Sequence, residues 1–107
     1  YTLYQHTRSF ILSHHNPYYY QGTCASGIGS PHTPKNYIWH IALSMQGLTG
    51  TKEEAKKMIN LILETSNNEG LCHEEFNKDE PSEYTRSWFA WANSLFAELV
   101  YQTYFVK

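Results

Sequence analysis

Residues 33–64, TPKNYIWHIALSMQGLTGTKEEAKKMINLILE, carry the reading on which the fold turns. Thr33 stands as an N-cap and Pro34 takes the first helical position, where a missing N–H costs nothing. From there Tyr37, Ile38, Ile41, Ala42, Met45 and Leu48 put one apolar face on a helix running to about Thr49. Gly50 terminates it, and Thr51-Lys52-Glu53-Glu54 is a capping box that starts the next helix almost at once. That helix turns Ala55, Met58, Ile59, Ile62 and Leu63 inward, leaves Lys56, Lys57, Asn60 and Glu64 wet, and ends at Asn67, Asn68 and Gly70. Two helices joined by so tight a turn are antiparallel neighbours.

Working outward, Leu3, Tyr4, Thr7, Phe10 and Ile11 make residues 1–13 the end of a helix, stopped by His14-His15-Asn16-Pro17. Trp88, Trp91, Ala92, Leu95, Phe96, Leu99 and Val100 form the apolar stripe of a last helix. The intervening stretches, residues 18–33 and 71–85, have no helical period and little strand alternation, so they read as long loops. The expected fold is therefore all-α, built of antiparallel helical hairpins. Chain reversal puts both long loops at one end of the layer, with Gly50 at the other, about 24 Å away along a helix over residues 34–49. Loops of this length are functional or disordered, and these are too aromatic for disorder. They gather His14, His15, Tyr18, Tyr19, Tyr20, His32, His73, Glu74, Glu75 and Arg86.

The chain has 107 residues, one domain's worth at most. Eight basic against ten acidic residues give a net charge of −2, which leaves no basic field for a phosphate backbone and excludes nucleic acid as a partner. Charged residues are 17%, against about 25% in an average soluble chain, and aromatics reach 16%. The run Trp88-Phe89-Ala90-Trp91-Ala92 falls far short of the roughly 20 apolar residues of a membrane span, so no membrane is expected. Tyr1 stands first and residues 1–13 lack a signal peptide's apolar region, so the chain reads as starting inside something larger. Cys24 and Cys72, far apart and without a C-x-x-C, read as free thiols in a reducing, cytoplasmic setting.

Gly27-Ile28-Gly29-Ser30-Pro31-His32 lacks the third glycine, the lysine and the preceding strand of a phosphate loop. It reads instead as a tight loop in which two glycines admit a ligand or another segment, with His32 either a structural imidazole or a ligand contact. The histidines and cysteines lack metal-ligand spacing, and no G-x-S-x-G elbow is present; no metal and no cofactor are expected. In Leu71-Cys72-His73-Glu74-Glu75-Phe76 two acids sit in an uncharged, aromatic-flanked segment. There a carboxylate can serve as general acid or base, or simply pair with Arg86 in solvent. Neighbours along an extended chain point oppositely, so at most one of the two faces a given pocket. The tyrosine run 18–20 cannot all face a core, and rings with a polar tip suit sugar faces.

These segments carry a resemblance. The stretch from Thr7-Arg8 to Leu12-Ser13, Asn16-Pro17-Tyr18-Tyr19, GIGSPHTPKNYIWHIAL, GLCHEEF and YTRSWFAWANSLFAEL together resemble the C-terminal part of glycoside hydrolase family 125, the exo-α-1,6-mannosidases, over essentially all of residues 1–107. The resemblance implies part of an (α/α)6 barrel and a metal-free inverting mechanism that removes terminal mannose from an oligosaccharide or N-glycan. It maps the general base, the Glu directly after His, onto Glu74, while nothing here matches the general acid. Arg86 and His32 are expected to contact mannose hydroxyls, with His73 and Ser30 positioning the base and its loop. The chain departs from the family pattern at Glu75, where a small residue is expected, and at His40 and Ser87, where proline is. A second charge beside Glu74 would raise its pKa if both were buried. The alternative is a non-catalytic helical fragment or carbohydrate-binding module: alone, these residues hold one of two catalytic groups and are expected to be inactive. A fragment with such apolar helix faces is also expected to self-associate.

Overall fold

In the computed structural model, residues 2–67 and 70–106 are described. Helix α1 spans Thr2–Ile11, strands β1 and β2 Tyr19–Gln21 and Ser26–Ile28, and strand β3 Tyr37–Trp39. Helices α2 and α3 follow at His40–Leu48 and Lys52–Glu64, then strands β4 (Glu75–Asn77) and β5 (Tyr84–Thr85), and helix α4 at Ala90–Tyr104. The all-α expectation is thereby overturned. Among the described residues, five strands in two antiparallel sheets, β1-β2 and β3-β4-β5, make the fold mixed α/β, and with that the reading as helical hairpins of an (α/α)6 barrel falls.

The physical reason lies in the opening stretch. Asn36 adopts a left-handed φ of 71°, which Asn tolerates better than most residues, and breaks the chain out of any helix started at Pro34. Tyr37-Ile38-Trp39, aromatic and β-branched, then suits a strand, pairing with Asn77, Phe76 and Glu75 respectively. Helix α2 begins only at His40, with Trp39 as an uncapped N-cap. Its inward face is His40, Ile41, Leu43, Ser44 and Gly47, while Met45 is exposed. Strands of two or three residues are too short to show a period of two against the helical repeat beside them.

The Gly50 turn stands as expected. Thr51 Oγ1 accepts the Glu54 N–H at 3.2 Å, but the Glu54 carboxylate reaches Gln46 Nε2 at 2.9 Å and pairs with Arg8 of α1. Ala55, Met58, Ile59 and Ile62 of α3 are buried, and Leu63 is half exposed. Of the stop signals, Asn67 and Gly70 are both left-handed, and Asn68 lies outside the described residues. Helices α2, α3 and α4 pack on one another around Ile41, Leu43, Met58, Ile62 and Leu99, and Ile38 and Phe76 extend this core into the larger sheet. Helix α1 buries none of its residues and leans on α2 across a groove of about 680 Å³. Among the described residues no helix is long and apolar enough to cross a membrane.

Candidate functional site

The two long connections do meet. The Lys78 carbonyl receives the N–H groups of Cys24 and Ala25, and the Lys78 N–H donates to the Asn36 carbonyl. Their junction adjoins the start of α2, about 14 Å from the Gly50 turn for a helix of nine residues, not 24 Å.

Glu74 immediately precedes β4 in this junction. Its N–H donates to the Thr85 carbonyl at 3.1 Å, and its own carbonyl accepts the His40 N–H at 3.4 Å, so the peptide is held from both sides. The side chain keeps 21% of its surface exposed, with Oε1 3.3 Å from Arg86 Nε and 3.5 Å from Thr85 Oγ1. Arg86 itself has a φ of 50°, unusual for a residue with a side chain, and lies over the Phe89 ring at 5.4 Å. That turn folds the guanidinium back towards Glu74. It leaves Arg86 66% exposed, with donors free to meet a solute.

Glu75 goes the other way. It stands opposite Trp39 and Thr85 in the sheet register and has no solvent exposure. Among the described residues neither carboxyl oxygen makes a well-formed hydrogen bond, nor does the buried indole N–H of Trp39. Burial, and then the charge of Glu74, push the Glu75 carboxyl up to about 8, with the Ser30 backbone pulling weakly in the opposite sense. At neutral pH Glu75 is an uncharged acid, while the carboxylate beside it faces solvent and an arginine.

Behind both acids lies a buried histidine pair. The His73 N–H donates to His40 Nδ1 at 2.9 Å, which puts the His40 proton on Nε2, directed at Thr65 Oγ1 at 2.9 Å. The Thr65 hydroxyl passes on to the Leu61 carbonyl at 2.8 Å. His73 Nδ1 lies 3.0 Å from the Ser87 carbonyl and carries the proton between them, and its buried Nε2 has no partner among the described residues. The His73 ring stacks on Tyr84 at 3.8 Å. Burial and the neighbouring His73 lower His40 to about 3, which keeps it neutral. Asn93 of α4 clamps the same segment: its Oδ1 accepts the Cys72 N–H at 3.1 Å and its Nδ2 donates to the Cys72 carbonyl at 3.2 Å. Burial raises the Cys72 thiol to about 11, which leaves it a poor nucleophile.

The glycine loop supplies the other wall. A side chain at Gly27 would lie 2.8 Å from Ile38 and 2.9 Å from Leu43, and one at Gly29 would fall on the Tyr37 carbonyl, so the two glycines admit another segment of this chain. Ser30 is buried, its Oγ accepting the His32 N–H at 3.1 Å. His32 is exposed, and among the described residues no hydrogen bond joins it to Glu74 or Arg86. The His14 and His15 rings meet at 4.3 Å, tilted by 33°, beside the end of α1. The structure thus unites Glu74, His73 and Arg86, sets Ser30 against the Glu75 side, and leaves His32 apart. His40, a mere departure in sequence, proves to be the hub, and no local signal could mark it because Thr65 and His73 are 25 and 33 positions away. Among the described residues no three His, Cys, Asp or Glu stand together as a metal site.

A family model described as metal-independent α-mannosidase, glycoside hydrolase family 125, matches residues 1–101. The chain belongs to this family. One solved relative in family 125 is a Streptococcus pneumoniae metal-independent α-mannosidase in a non-productive complex with α-1,6-mannobiose, studied for the processing of N-linked glycans. It is 48% identical, with a TM-score of 0.94 over 97% of this chain and 25% of its own. The meiotically up-regulated gene 157 protein of Schizosaccharomyces pombe is 40% identical over 100 residues, 92% of this chain and 20% of that protein. The chain therefore spans a fifth to a quarter of the length of these relatives. Its family is one of glycoside hydrolases.

Proposed function

We propose that this chain is the C-terminal part of the catalytic domain of an inverting exo-α-1,6-mannosidase acting on mannose-containing oligosaccharides or N-glycans, and that Glu74 is its general base. The observation that carries this reading is the contrast in the His73-Glu74-Glu75 segment. One acid is pinned by its backbone with its carboxylate open to a solute, and the next is buried. In an inverting glycosidase the base activates a water on the face of the sugar opposite the leaving group, across roughly 6.5 to 9.5 Å from an acid. The acid would come from outside residues 1–107. Arg86 fits a hydroxyl-binding role through its exposed donors and also pairs with Glu74. His73 and Ser30, both buried, act as supports for the strand and the loop, and exposed His32 would meet the sugar at the rim. The half-exposed Trp88 and Trp91 are expected to be covered by the rest of that catalytic domain.

The test is Glu74→Gln in the parent protein, assayed on α-1,6-mannobiose. Loss of a general base lowers kcat by about 10² to 10⁴-fold, with thermal unfolding unchanged. Turnover equal to that of the unaltered protein would remove Glu74 from the mechanism. Proton NMR of the first-formed sugar reads the stereochemistry separately: β-mannose supports inversion, and α-mannose excludes it.

A further inference from the structure

Among the described residues Glu75 is the one fully buried acid; the proposed mechanism does not use it, and its placement is costly. A carboxyl without solvent contact and without a well-formed hydrogen bond to either oxygen among the described residues is destabilising in any form, and far more so when charged. Its cross-strand neighbour Trp39 also has its indole N–H buried without a partner among the described residues. The two stand opposite each other in the register of β3 and β4. Since successive strand residues alternate, whatever fixes Glu75 inward also fixes Glu74 outward.

We propose that Glu75 is a positioning residue for Glu74: a buried, protonated carboxyl that holds β4 in the register presenting Glu74 to substrate, and whose ionisation closes the alkaline side of activity. This rests on the reading of Glu74 as general base. The charge balance around Glu75 supports it. On its own segment stand Glu74 and His73; on α2 stands His40, neutral down to about pH 3. Tyr37 on β3 and Tyr84 on β5 are phenols, and Arg86 beyond β5 is engaged with Glu74. The nearest formal charge is thus the negative one on Glu74, and none of these groups offers Glu75 a cationic hydrogen-bond partner. An ionised Glu75 gains by leaving the interior, and Glu74 is bonded to it through one peptide.

The decisive variants are Glu75→Gln and Glu75→Met, close in size and unable to ionise, made in the parent protein. With the Glu75 carboxyl near 8, one pH unit above it leaves about a tenth in the neutral form. Each variant is therefore expected to raise the ratio of kcat at pH 9 to kcat at pH 6 by about tenfold, with KM little altered. An unchanged ratio in a folded variant overturns the proposal. A purely structural role would lower kcat at all pH values alike and leave the ratio where it was. Carboxyl carbon NMR of the unaltered protein needs no variant and no activity: Glu75 titrating near 8, with a second step in the Glu74 signal at the same pH, supports the proposal. A Glu75 titration in the ordinary carboxylate range overturns it. Absence of mannoside hydrolysis by the unaltered protein, with the coupled titration present, would fault the mannosidase reading and not the coupling of the two acids.

Discussion

The two ends of α2 are built on opposite terms. At its C-terminal end the polar groups answer one another: Thr51 caps Glu54, Glu54 pairs with Arg8 and Gln46, and the Tyr4 hydroxyl donates to the Thr49 carbonyl. At its N-terminal end the buried groups go wanting. Both Glu75 oxygens, Trp39 Nε1 and His73 Nε2 have no partner among the described residues. Unpaired buried polar atoms each cost about 1 to 3 kcal/mol, so a fold keeps them where something other than stability is served. The turn end secures the helices, and the sheet end holds the Glu75 carboxyl and the His40 imidazole uncharged over a wider pH range than water would.

If the sheet end is held together by packing and not by polar pairing, its largest single dependence is Phe76. Phe76 is fully buried, lies between Ile38 and Tyr84 in the register, and packs on His40 at 4.7 Å. Phe76→Ala should cost about 3 to 5 kcal/mol in urea unfolding. A loss of less than about 1 kcal/mol would show the sheet to be loosely attached, and the comparison would fail at its root.

Next in size is the response to pH. His40 is held at about 3, below its ordinary 6.5, so as pH falls through this interval the unfolded chain takes up a proton that the folded one refuses. Glu75 is held at about 8, above its ordinary 4.5, so as pH rises through that interval the unfolded chain releases a proton that the folded one keeps. Each destabilises at about 1.4 kcal/mol per pH unit within its window. The two slopes cancel where the windows overlap, between 4.5 and 6.5. Stability should therefore show a plateau there and fall on both sides, by about 2 kcal/mol from pH 6.5 to 8. Glu75→Met should flatten the alkaline fall and leave the acid one. A curve whose alkaline fall survives that change would mean that another group governs it.

Much of the helical frame could be read directly from sequence, because each signal was local. Thr51 and Glu54 are three residues apart, and the repeat of Ala55, Met58, Ile59 and Ile62 needs only itself. The meeting of the two long connections also followed, since it depends only on counting chain reversals. What escaped were the strands: Tyr37-Ile38-Trp39 satisfies a helical repeat as well as a strand, and the choice rests with Phe76, a partner 38 positions along. The site divides in the same way. Glu74 and Glu75 could be read as facing apart, but which of them is buried is decided by the Ser30 loop and the opposing Trp39.

The smallest effect tests the other side of the comparison. Thr51→Ala removes the hydroxyl that accepts the Glu54 N–H and should cost about 1 kcal/mol, as a lost N-cap does. Glu54 keeps Arg8 and Gln46, so the turn should not come apart. Because Thr51 lies at the far end of α2 from Glu74, the pH dependence of stability should shift down as a whole with its plateau between the same limits. A plateau that moved with Thr51→Ala would show that the two ends are coupled through α2, and the division between a securing end and a held end would have to be given up.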